Sequence, residues 1–382
     1  MQKLPEPIYV VRPTLPDLGE FKKHLESIWE SGIVTNFGPK HKEFELAIAN
    51  YLKVSNASAF VNGHSALESA VRALKLSGEV ITTPFTFPST PHAISLNGIE
   101  PVFCDIDPKT FGICPDKIRE LVTDKTSAIL AVHVYGNPCN VVELQKIADE
   151  NNLNLIYDAA HAFGVEINGK GIGEFGDLSV FSLHATKVFN AIEGGLVTFA
   201  NAGYKDKLFE LKNFGYQENS QDEDISGIGS NLKMSELHAA VGLLNLNNID
   251  EQIAERRKIY TLYQEHINAI KGLTLIEPYA TKPNYAYCPI LVDPGDFGMT
   301  RDQLYKRLAE YNVFCRKYFN PPCNELSCYK KQKMRQPPTP VASSISSRIL
   351  CLPIYPGLLL DSVNQICEII EGLSKEVPIV QI

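Results

Sequence analysis

From residue 57 onward the sequence alternates short apolar runs with amphipathic helical segments, and this alternation restricts the fold more than any other feature. Seven runs have the apolar and β-branched composition of buried strands: 58–61, 79–82, 101–104, 128–134, 153–157, 178–183 and 195–199. The segments between them carry apolar residues at helical spacing, such as Leu67, Val71 and Leu74. Strands that alternate with helices of this length need crossover connections, so we expect an α/β fold with a mostly parallel sheet.

The two ends of the chain follow other patterns. Residues 17–31 predict an amphipathic helix, and its inward stripe is formed by Phe21, Leu25, Ile28 and Trp29. A long helix is predicted to begin near Ser235 and to run through Tyr260. One strand and two helices are predicted beyond it: 286–292, 302–311 and 363–373. The pattern therefore divides the chain into three parts: an N-terminal arm and helix (1–30), a large α/β domain (31–250) and a smaller α+β domain (251–382).

The composition excludes several classes of protein. The 382-residue chain carries 36 Lys and Arg against 44 Asp and Glu, a formal net charge of −8, so clustered cations for nucleic-acid binding are not expected. Its nine cysteines include no C-x-x-C pair and are interpreted as reduced thiols, without a metal site. No apolar stretch approaches the ~20 residues of a membrane span, and the N-terminus lacks a signal-peptide pattern. We expect a cytoplasmic protein that holds anionic ligands at helix N-termini.

One glycine motif matches a known fingerprint in its residue types but not in its predicted structural context. Gly171, Gly173 and Gly176 fit G-x-G-x-x-G, which binds dinucleotides when it joins a strand to a helix. The residues that follow, 178–183, predict a strand instead. We therefore interpret these glycines as turn residues.

The most informative stretch, 155–195, places an acid and a lysine directly after predicted strands. Asp158 follows one strand, at the edge of the sheet where α/β proteins bind ligands. Lys187 follows another, among Ser182, His184 and Thr186. Burial lowers the pKa of a lysine and prepares it to react with a carbonyl, and an aspartate opposite it can keep a pyridine nitrogen protonated. Taken singly, the two residues also fit a helix cap and a surface charge; together they indicate a pyridoxal phosphate site.

Two upstream segments add candidate cofactor contacts. Asn62–Leu67 lies between a predicted strand and a helix, where Gly63 permits a tight turn and the first helical amides can bind an anion. The same segment also fits an ordinary capped helix. Phe87 comes after the next strand, where its ring can either stack on a planar cofactor or belong to the core.

Together these segments resemble the fold type I, pyridoxal-phosphate-dependent nucleotide-sugar aminotransferases over nearly the whole chain. The most specific motifs are Asp158-Ala-Ala-His161, Thr186-Lys187 and Glu193-Gly-Gly195. Weaker blocks are Ser31–Pro39, Gly229–Glu236 and Leu350–Pro353. The resemblance implies a mostly parallel sheet of about seven strands sandwiched by helices, with a smaller C-terminal α+β domain. It also implies pyridoxal 5′-phosphate as the cofactor.

The resemblance further implies a role for each matching residue. Lys187 binds the cofactor covalently and moves the proton, Asp158 pairs with the pyridine nitrogen, and His161, where the family often has Gln, faces the cofactor's 3′-oxygen. The remaining cofactor contacts are Ser182 and the amides of Gly63, His64 and Ser65 at the phosphate, and Phe87 on the ring. Asn231 matches an asparagine that reaches the phosphate from the neighbouring subunit, which implies a homodimer with shared active sites. Candidate substrate contacts are Asn36, His184, Lys187, Glu193 and Arg316.

The implied reaction is transfer of the amino group of L-glutamate to a keto-6-deoxyhexose carried on a nucleotide. A lysine at 187 favours amination, because the dehydrases of the family have histidine there. The motifs around His184 and Glu193 favour the 4-aminating members, with conversion of dTDP-4-keto-6-deoxyglucose to dTDP-4-amino-4,6-dideoxyglucose. The alternatives are a C3-aminating or GDP-sugar aminotransferase, a catalytically idle cofactor-binding regulatory dimer, and a desulfurase that uses a cysteine of the Cys315–Cys328 group.

Overall fold

The computed structural model describes residues 2–218, 225, 227–331 and 334–376. The strands, in chain order, are β1 Ile8–Tyr9, β2 Asn56–Phe60, β3 Glu79–Thr82, β4 Glu100–Phe103, β5 Thr126–Val132, β6 Asn154–Asp158, β7 Glu166–Ile167, β8 Lys170–Gly171, β9 Leu178–Ser182, β10 Gly195–Phe199, β11 Leu273–Leu275, β12 Cys288–Val292, β13 Val313–Phe314 and β14 Ile349–Leu352. The helices are α1 Leu18–Ser31, α2 Pro39–Leu52, α3 Gly63–Ala73, α4 Ser89–Leu96, α5 Pro115–Leu121, α6 Val141–Asn151, α7 Tyr204–Lys212, α8 Glu236–Leu246, α9 Ile249–Ile267, α10 Pro294–Phe297, α11 Arg301–Glu310, α12 Ser327–Lys330, α13 Pro340–Arg348 and α14 Leu360–Glu376.

A seven-stranded sheet with the order β2-β10-β9-β6-β5-β3-β4 organises the larger part of the chain. Its strands are parallel except β10, which runs antiparallel to both of its neighbours. The predicted α/β fold with a mostly parallel sheet of seven strands is confirmed. Because the parallel strands end at one edge of the sheet, that edge gathers the residues that follow β3, β5, β6 and β9.

Both faces of this sheet are buried, as the crossover helices of a parallel sheet require. Ile81, Ile129 and Tyr157 pack into one apolar cluster together with residues of α2 and α6. Their strand neighbours Val80, Leu130 and Ile156 pack into another, with α3 and α4. Successive side chains of a strand point to opposite faces, so each strand contributes to both clusters.

A smaller antiparallel sheet, β11-β12-β14, lies in the second half of the chain and packs with α9, α11 and α14 around its own apolar cluster. Strand β1 pairs with β13, which ties the N-terminal arm to this part. Helix α9 contributes Ile253 to the large cluster and Ile259 and Tyr263 to the small one. The division at residues 30 and 250 stays a prediction.

Two predictions about helices were wrong. Trp29 was assigned to the inward stripe of α1, but it is 69% exposed, whereas Ile28 is 2% exposed. Adjacent helical residues point about 100° apart, and here the helix turns Ile28 inward and leaves Trp29 toward solvent. The helix predicted from Ser235 through Tyr260 is two helices, α8 and α9, because Asn248 takes a non-helical conformation with φ −114° and ψ 7°. Asparagine side chains compete for backbone hydrogen bonds and favour helix ends.

Within the described residues, no helix is long and apolar enough to cross a membrane. The cysteines of the described part are all unpaired thiols. Gly171–Gly176 forms a short strand end and turns and leads into β9, as the turn interpretation predicted. Gly176 has φ +72°, and a Cβ there would lie 2.7 Å from the carbonyl oxygen of Leu155.

Candidate active site

Asp158 is the last residue of the central strand β6, in register with Val132 on one side and Val180 on the other. Its carboxylate is buried and accepts two hydrogen bonds: from the hydroxyl of Thr90 (2.7 Å) and from the amide of Ala160 (3.0 Å). Burial raises the pKa of Asp158, while these two hydrogen bonds and the charge of Lys187 lower it. The carboxylate is thereby fixed in position and primed to pair with a cation.

Thr90 is a site residue that the sequence analysis missed. It lies at the start of α4, and its hydroxyl also bonds to that of Thr86 at 2.8 Å. Asp158 is 68 residues away in the sequence. The local signal is the run of threonines after β3, in the segment from which only Phe87 was predicted to contact the cofactor.

Lys187 lies in a loop that leaves β9 and returns as β10. It is partly buried, and it lines a small cavity together with His161, Phe163 and Tyr287. Burial lowers the pKa of Lys187 to about 8, and the opposing charge of Asp158 limits the shift. A fraction of the amine is therefore uncharged near neutral pH, which is the form that attacks a carbonyl.

The loop that carries Lys187 (183–194, called the lysine loop below) is held by its own backbone and by Asn190. The amide of Leu183 donates to the carbonyl of Gly194 (2.8 Å), and the amide of Ala185 donates to the carbonyl of Ile192 (2.8 Å). Asn190 is buried, and its side-chain amide donates to the carbonyl of Thr14 at 3.0 Å. The N-terminal arm thus helps to fix the lysine loop, a link that the sequence did not reveal.

His161 is buried beside Lys187, and its protonation follows from its contacts. Its Nδ1 accepts the backbone amide of Tyr135 at 3.2 Å, so a neutral ring carries its proton on Nε2. Burial, together with the nearby charge of Lys187, lowers the pKa of His161 well below its usual value. The ring lies parallel to that of Phe319, with 5.8 Å between the centroids. His161 is therefore a neutral donor through Nε2.

The predicted phosphate cradle brings Gly63 against Ser182. A Cβ added to Gly63 would lie 2.8 Å from the Cβ of Ser182 and 3.0 Å from its hydroxyl, so only glycine permits this approach. The side chain of Asn62 caps α3 and accepts the amide of Ser65 at 2.8 Å. The amides of Gly63 and His64 precede the first intrahelical bond and lie at the positive end of α3, which suits an anion.

Phe87 is 58% exposed, in the loop between β3 and α4. Its carbonyl accepts the amide of Thr90 at 3.2 Å, which places it one turn from the partner of Asp158. Cys323 holds this loop through two hydrogen bonds. Its amide donates to the carbonyl of Pro84 (2.8 Å), and its thiol donates to the carbonyl of Thr86 (3.1 Å). An exposed ring on a fixed loop is compatible with the predicted stacking on a cofactor.

The candidate substrate residues lie at the surface. His184 Nε2 is 3.6 Å from a carboxylate oxygen of Glu193, and His184 Nδ1 is 2.8 Å from the hydroxyl of Thr186. The other two, Asn36 and Arg316, are exposed. Asn231, the predicted contact to a partner's cofactor, is also exposed and accepts the ammonium of Lys233 at 2.7 Å. None of the described contacts joins Asn36, Asn231 or Arg316 to Lys187.

The sequence matches the model of the DegT/DnrJ/EryC1/StrS aminotransferase family over residues 17–371. The chain belongs to this family. Membership confirms the predicted enzyme class and implies pyridoxal phosphate as its cofactor. The residues present fit that group: a buried carboxylate for the pyridine nitrogen, a lysine of lowered pKa, and a glycine cradle for the phosphate.

The family comparison extends to individual proteins. The chain is similar to the dTDP-4-amino-4,6-dideoxy-D-glucose transaminase of Shigella dysenteriae, with 43% identity over 369 residues, which are 96% of this chain and 99% of the relative. It is 32% identical to the GDP-perosamine synthase of Vibrio cholerae over 96% of this chain and 98% of that one. The crystal structure of DesI in the presence of its TDP-sugar product has a TM-score of 0.92 at 34% identity and covers 98% of this chain and 95% of its own.

Proposed function

We propose that this aminotransferase moves the amino group of L-glutamate to C4 of dTDP-4-keto-6-deoxyglucose. The products are 2-oxoglutarate and dTDP-4-amino-4,6-dideoxyglucose. The observation that carries the reaction class is that the buried Asp158 and the partly buried Lys187 lie at the sheet edge within reach of each other's charge, with the pKa of Lys187 lowered to about 8. The substrate is supported by the 43% identity to the Shigella dysenteriae transaminase.

Pyridoxal phosphate supplies an aldehyde and an electron-withdrawing ring when it is bound. Asp158 would hold the pyridine nitrogen, and the hydroxyl of Thr90 and the amide of Ala160 keep its carboxylate in place. Nε2 of His161, the protonated ring nitrogen, would donate to the 3′-oxygen of the cofactor. The amides of Gly63 and His64 and the hydroxyl of Ser182 would hold the phosphate, and Phe87 would contact the ring. The amide of Ser65, also predicted to hold the phosphate, is donated to the side chain of Asn62 instead.

Lys187 is the acid–base group of both half-reactions. Its Nζ removes the proton from the α-carbon of glutamate, and in the second half-reaction it delivers a proton to C4 of the sugar. A pKa of about 8 lets the same amine accept and release a proton near neutral pH. We assign Asn36, His184 and Glu193 to the sugar, and Arg316 to an anionic part of a substrate.

We also propose a homodimer in which Asn231 reaches the phosphate bound by the partner subunit. The exposed position of Asn231 and the exposed apolar side chain of Trp29 support a subunit contact. Co-expression of K187A and N231A chains tests it. Random pairing makes half of the dimers mixed, and one of the two sites in each mixed dimer has both Lys187 and Asn231. We therefore expect about a quarter of the wild-type activity. Activity no higher than that of the separate variants would contradict a shared site.

The substrate is tested by incubating the enzyme with ¹⁵N-glutamate and either dTDP-4-keto-6-deoxyglucose or its GDP-mannose-derived counterpart. We expect ¹⁵N at C4 of the dTDP sugar in the gluco configuration, detected by NMR. The GDP-perosamine synthase at 32% identity makes the GDP sugar the second candidate. Label at C3, or turnover of the GDP sugar alone, would overturn the proposed substrate.

The cysteines do not favour a desulfurase. Cys315 and Cys323 are buried, and burial raises the pKa of both thiols, that of Cys323 to about 12. Cys328 is exposed, with its sulfur 3.9 Å from Nε2 of His92. A desulfurase needs a thiolate near neutral pH, and the two buried thiols are kept protonated.

A further inference from the structure

Residues 232–236, called the strap below, touch three parts of the site. The carbonyl of Leu232 accepts the amide of Val61 (2.8 Å), which directly precedes the phosphate cradle. Met234 packs on the lysine loop, where a Cβ added to Gly194 would lie 2.8 Å from the Cε of Met234. At its end, Glu236 reaches residues 33–38, called loop 33–38 below. The strap therefore sets these three parts relative to one another.

Glu236 holds loop 33–38 through a carboxylate that is only 1% exposed. The carboxylate oxygens accept the amides of Lys40 (2.7 Å) and His41 (2.8 Å), in the first turn of α2. The amide of Glu236 donates to the carbonyl of Val34 at 3.0 Å. No ion pair of the described residues includes this carboxylate. Its charge is balanced by helix N-terminal amides, so its hydrogen bonds are strong and directional.

The shape of loop 33–38 depends on this contact. Asn36 and Phe37 both have φ 62°, a left-handed conformation that non-glycine residues adopt only when their surroundings impose it. A Cβ added to Gly38 would lie 2.5 Å from the Cδ of Glu236. Phe37 stacks on Phe209 with 4.7 Å between the ring centroids. Glu236 and Phe209 thus fix the loop from two sides and leave Asn36 exposed between them.

The chemistry of loop 33–38 suits a sugar ring better than an amino acid. Its sequence, Ile-Val-Thr-Asn-Phe-Gly, has no charged residue, whereas the two carboxylates of glutamate call for cations. Ile33 and Val34 are 44% and 48% exposed. An apolar surface next to a hydroxyl and an amide matches the apolar face and hydroxyl groups of a hexose.

We propose that Glu236 is a positioning residue for the acceptor sugar: through the amides of Lys40 and His41 it holds loop 33–38 in the shape that binds the hexose. This inference rests on the proposed function, since it takes the nucleotide sugar as the second substrate. The inference predicts that a change at Glu236 affects the second half-reaction and not the first, because only the second one involves the sugar.

The central test is E236Q, in which a carboxamide of the same size offers one acceptor oxygen for two amides. Two quantities are measured: the rate at which glutamate alone converts the bound cofactor, by absorbance, and the affinity for dTDP-glucose, an unreactive nucleotide sugar, by calorimetry. We expect the glutamate rate to stay within about twofold and the dissociation constant for dTDP-glucose to rise about tenfold, the loss expected for one charged hydrogen bond.

Two further variants keep the test decisive. E45Q is the control on α2, the helix whose first-turn amides Glu236 accepts: Glu45 accepts the amide of Ala59 (2.7 Å) and the ammonium of Lys212 (3.1 Å). Lys212 also lies 5.3 Å over the ring of Phe37, so the loss of this carboxylate should lower the melting temperature and weaken dTDP-glucose binding far less than E236Q does. G38A keeps the carboxylate itself but places a Cβ 2.5 Å from its Cδ, which displaces Glu236 from the loop, so it should also weaken dTDP-glucose binding. If E236Q does not fold, G38A decides alone.

The inference is overturned if E236Q or G38A slows the glutamate reaction as much as it weakens dTDP-glucose binding, or if both variants bind dTDP-glucose like the wild type. It is also overturned if E45Q weakens dTDP-glucose binding as strongly as E236Q does. A wild-type protein that does not accept the amino group of glutamate overturns the proposed function, and this inference with it. If the wild type does accept the amino group of glutamate, weaker dTDP-glucose binding with an unchanged glutamate rate in the variants tests the role of Glu236 separately from the proposed function.

Discussion

The floor of the site and its rim hold their residues in different ways. The floor, formed by Thr90, Asp158, His161 and Lys187, is largely buried, and burial shifts the pKa values of its three titratable groups. The rim, formed by Asn36, His184, Glu193 and Arg316, is exposed or half-exposed. We propose that the floor performs the chemistry common to the family, while the rim selects the substrate. Changes in the floor should therefore affect rates, and changes in the rim should affect substrate affinity.

The largest effect is expected for K187A. The variant loses both the amine that captures the cofactor and the group that moves the proton, so the rate of amino-sugar formation should fall by about a thousandfold or more. Chromatographic assay of the nucleotide sugar measures it, and the melting temperature of the cofactor-free protein serves as the folding control. Amino-sugar formation at the wild-type rate would contradict the assignment of the floor.

D158N should lower the rate by about a hundredfold, because the pyridine nitrogen loses its charged partner. The stability of the cofactor-free D158N protein, in contrast, should increase. Burial raises the pKa of Asp158 in the folded state, so ionisation of this group costs stability as pH rises through that pKa. Cofactor-free D158N should therefore melt above the wild type at pH 7, with a smaller difference at pH 4. A lower melting temperature at pH 7 would show that the carboxylate stabilises the fold.

T90V removes the hydroxyl that donates to Asp158 at 2.7 Å and retains the shape of the side chain. A charged hydrogen bond lost at a buried carboxylate predicts a rate about tenfold lower. T90S retains the hydroxyl and is the matched control. Equal rates for the two variants would mean that the hydroxyl does not position Asp158.

E193Q should have the smallest effect. The His184–Glu193 pair is 3.6 Å apart and half-exposed, and such pairs contribute little energy. We expect the apparent KM for the nucleotide sugar to rise about two- to fivefold, with the glutamate kinetics unchanged. Steady-state kinetics with each substrate varied in turn measures both. If E193Q instead changes the apparent KM for glutamate, Glu193 contacts the amino donor and not the sugar.

The sequence predicted the sheet and the principal floor residues because both depend on local patterns. Apolar runs define the strands, and Asp158 and Lys187 follow strands whose ends meet at one edge. Thr90, Asn190 and Glu236 were not predicted. Their partners lie 68, 176 and 196 residues away in the sequence, and no local pattern marks such contacts.

Two other outcomes show where periodicity alone fails. Trp29 has the spacing of an inward residue but lies beside Ile28, which takes the buried position. The break between α8 and α9 comes at Asn248, which takes a non-helical conformation although the apolar spacing continues through it. In both cases the local pattern treats as equivalent positions that differ in the folded chain.

The coupling between Lys187 and Asp158 is the central claim, and the pH dependence of cofactor capture tests it most directly. The rate at which the cofactor-free protein binds pyridoxal phosphate, followed by absorbance, should rise with pH around a midpoint near 8, because only the uncharged amine reacts. The charge of Asp158 raises the pKa of Lys187, so the midpoint should be lower in D158N. The same midpoint in both proteins, or one near 10.5, the ordinary value of a lysine, would contradict the account.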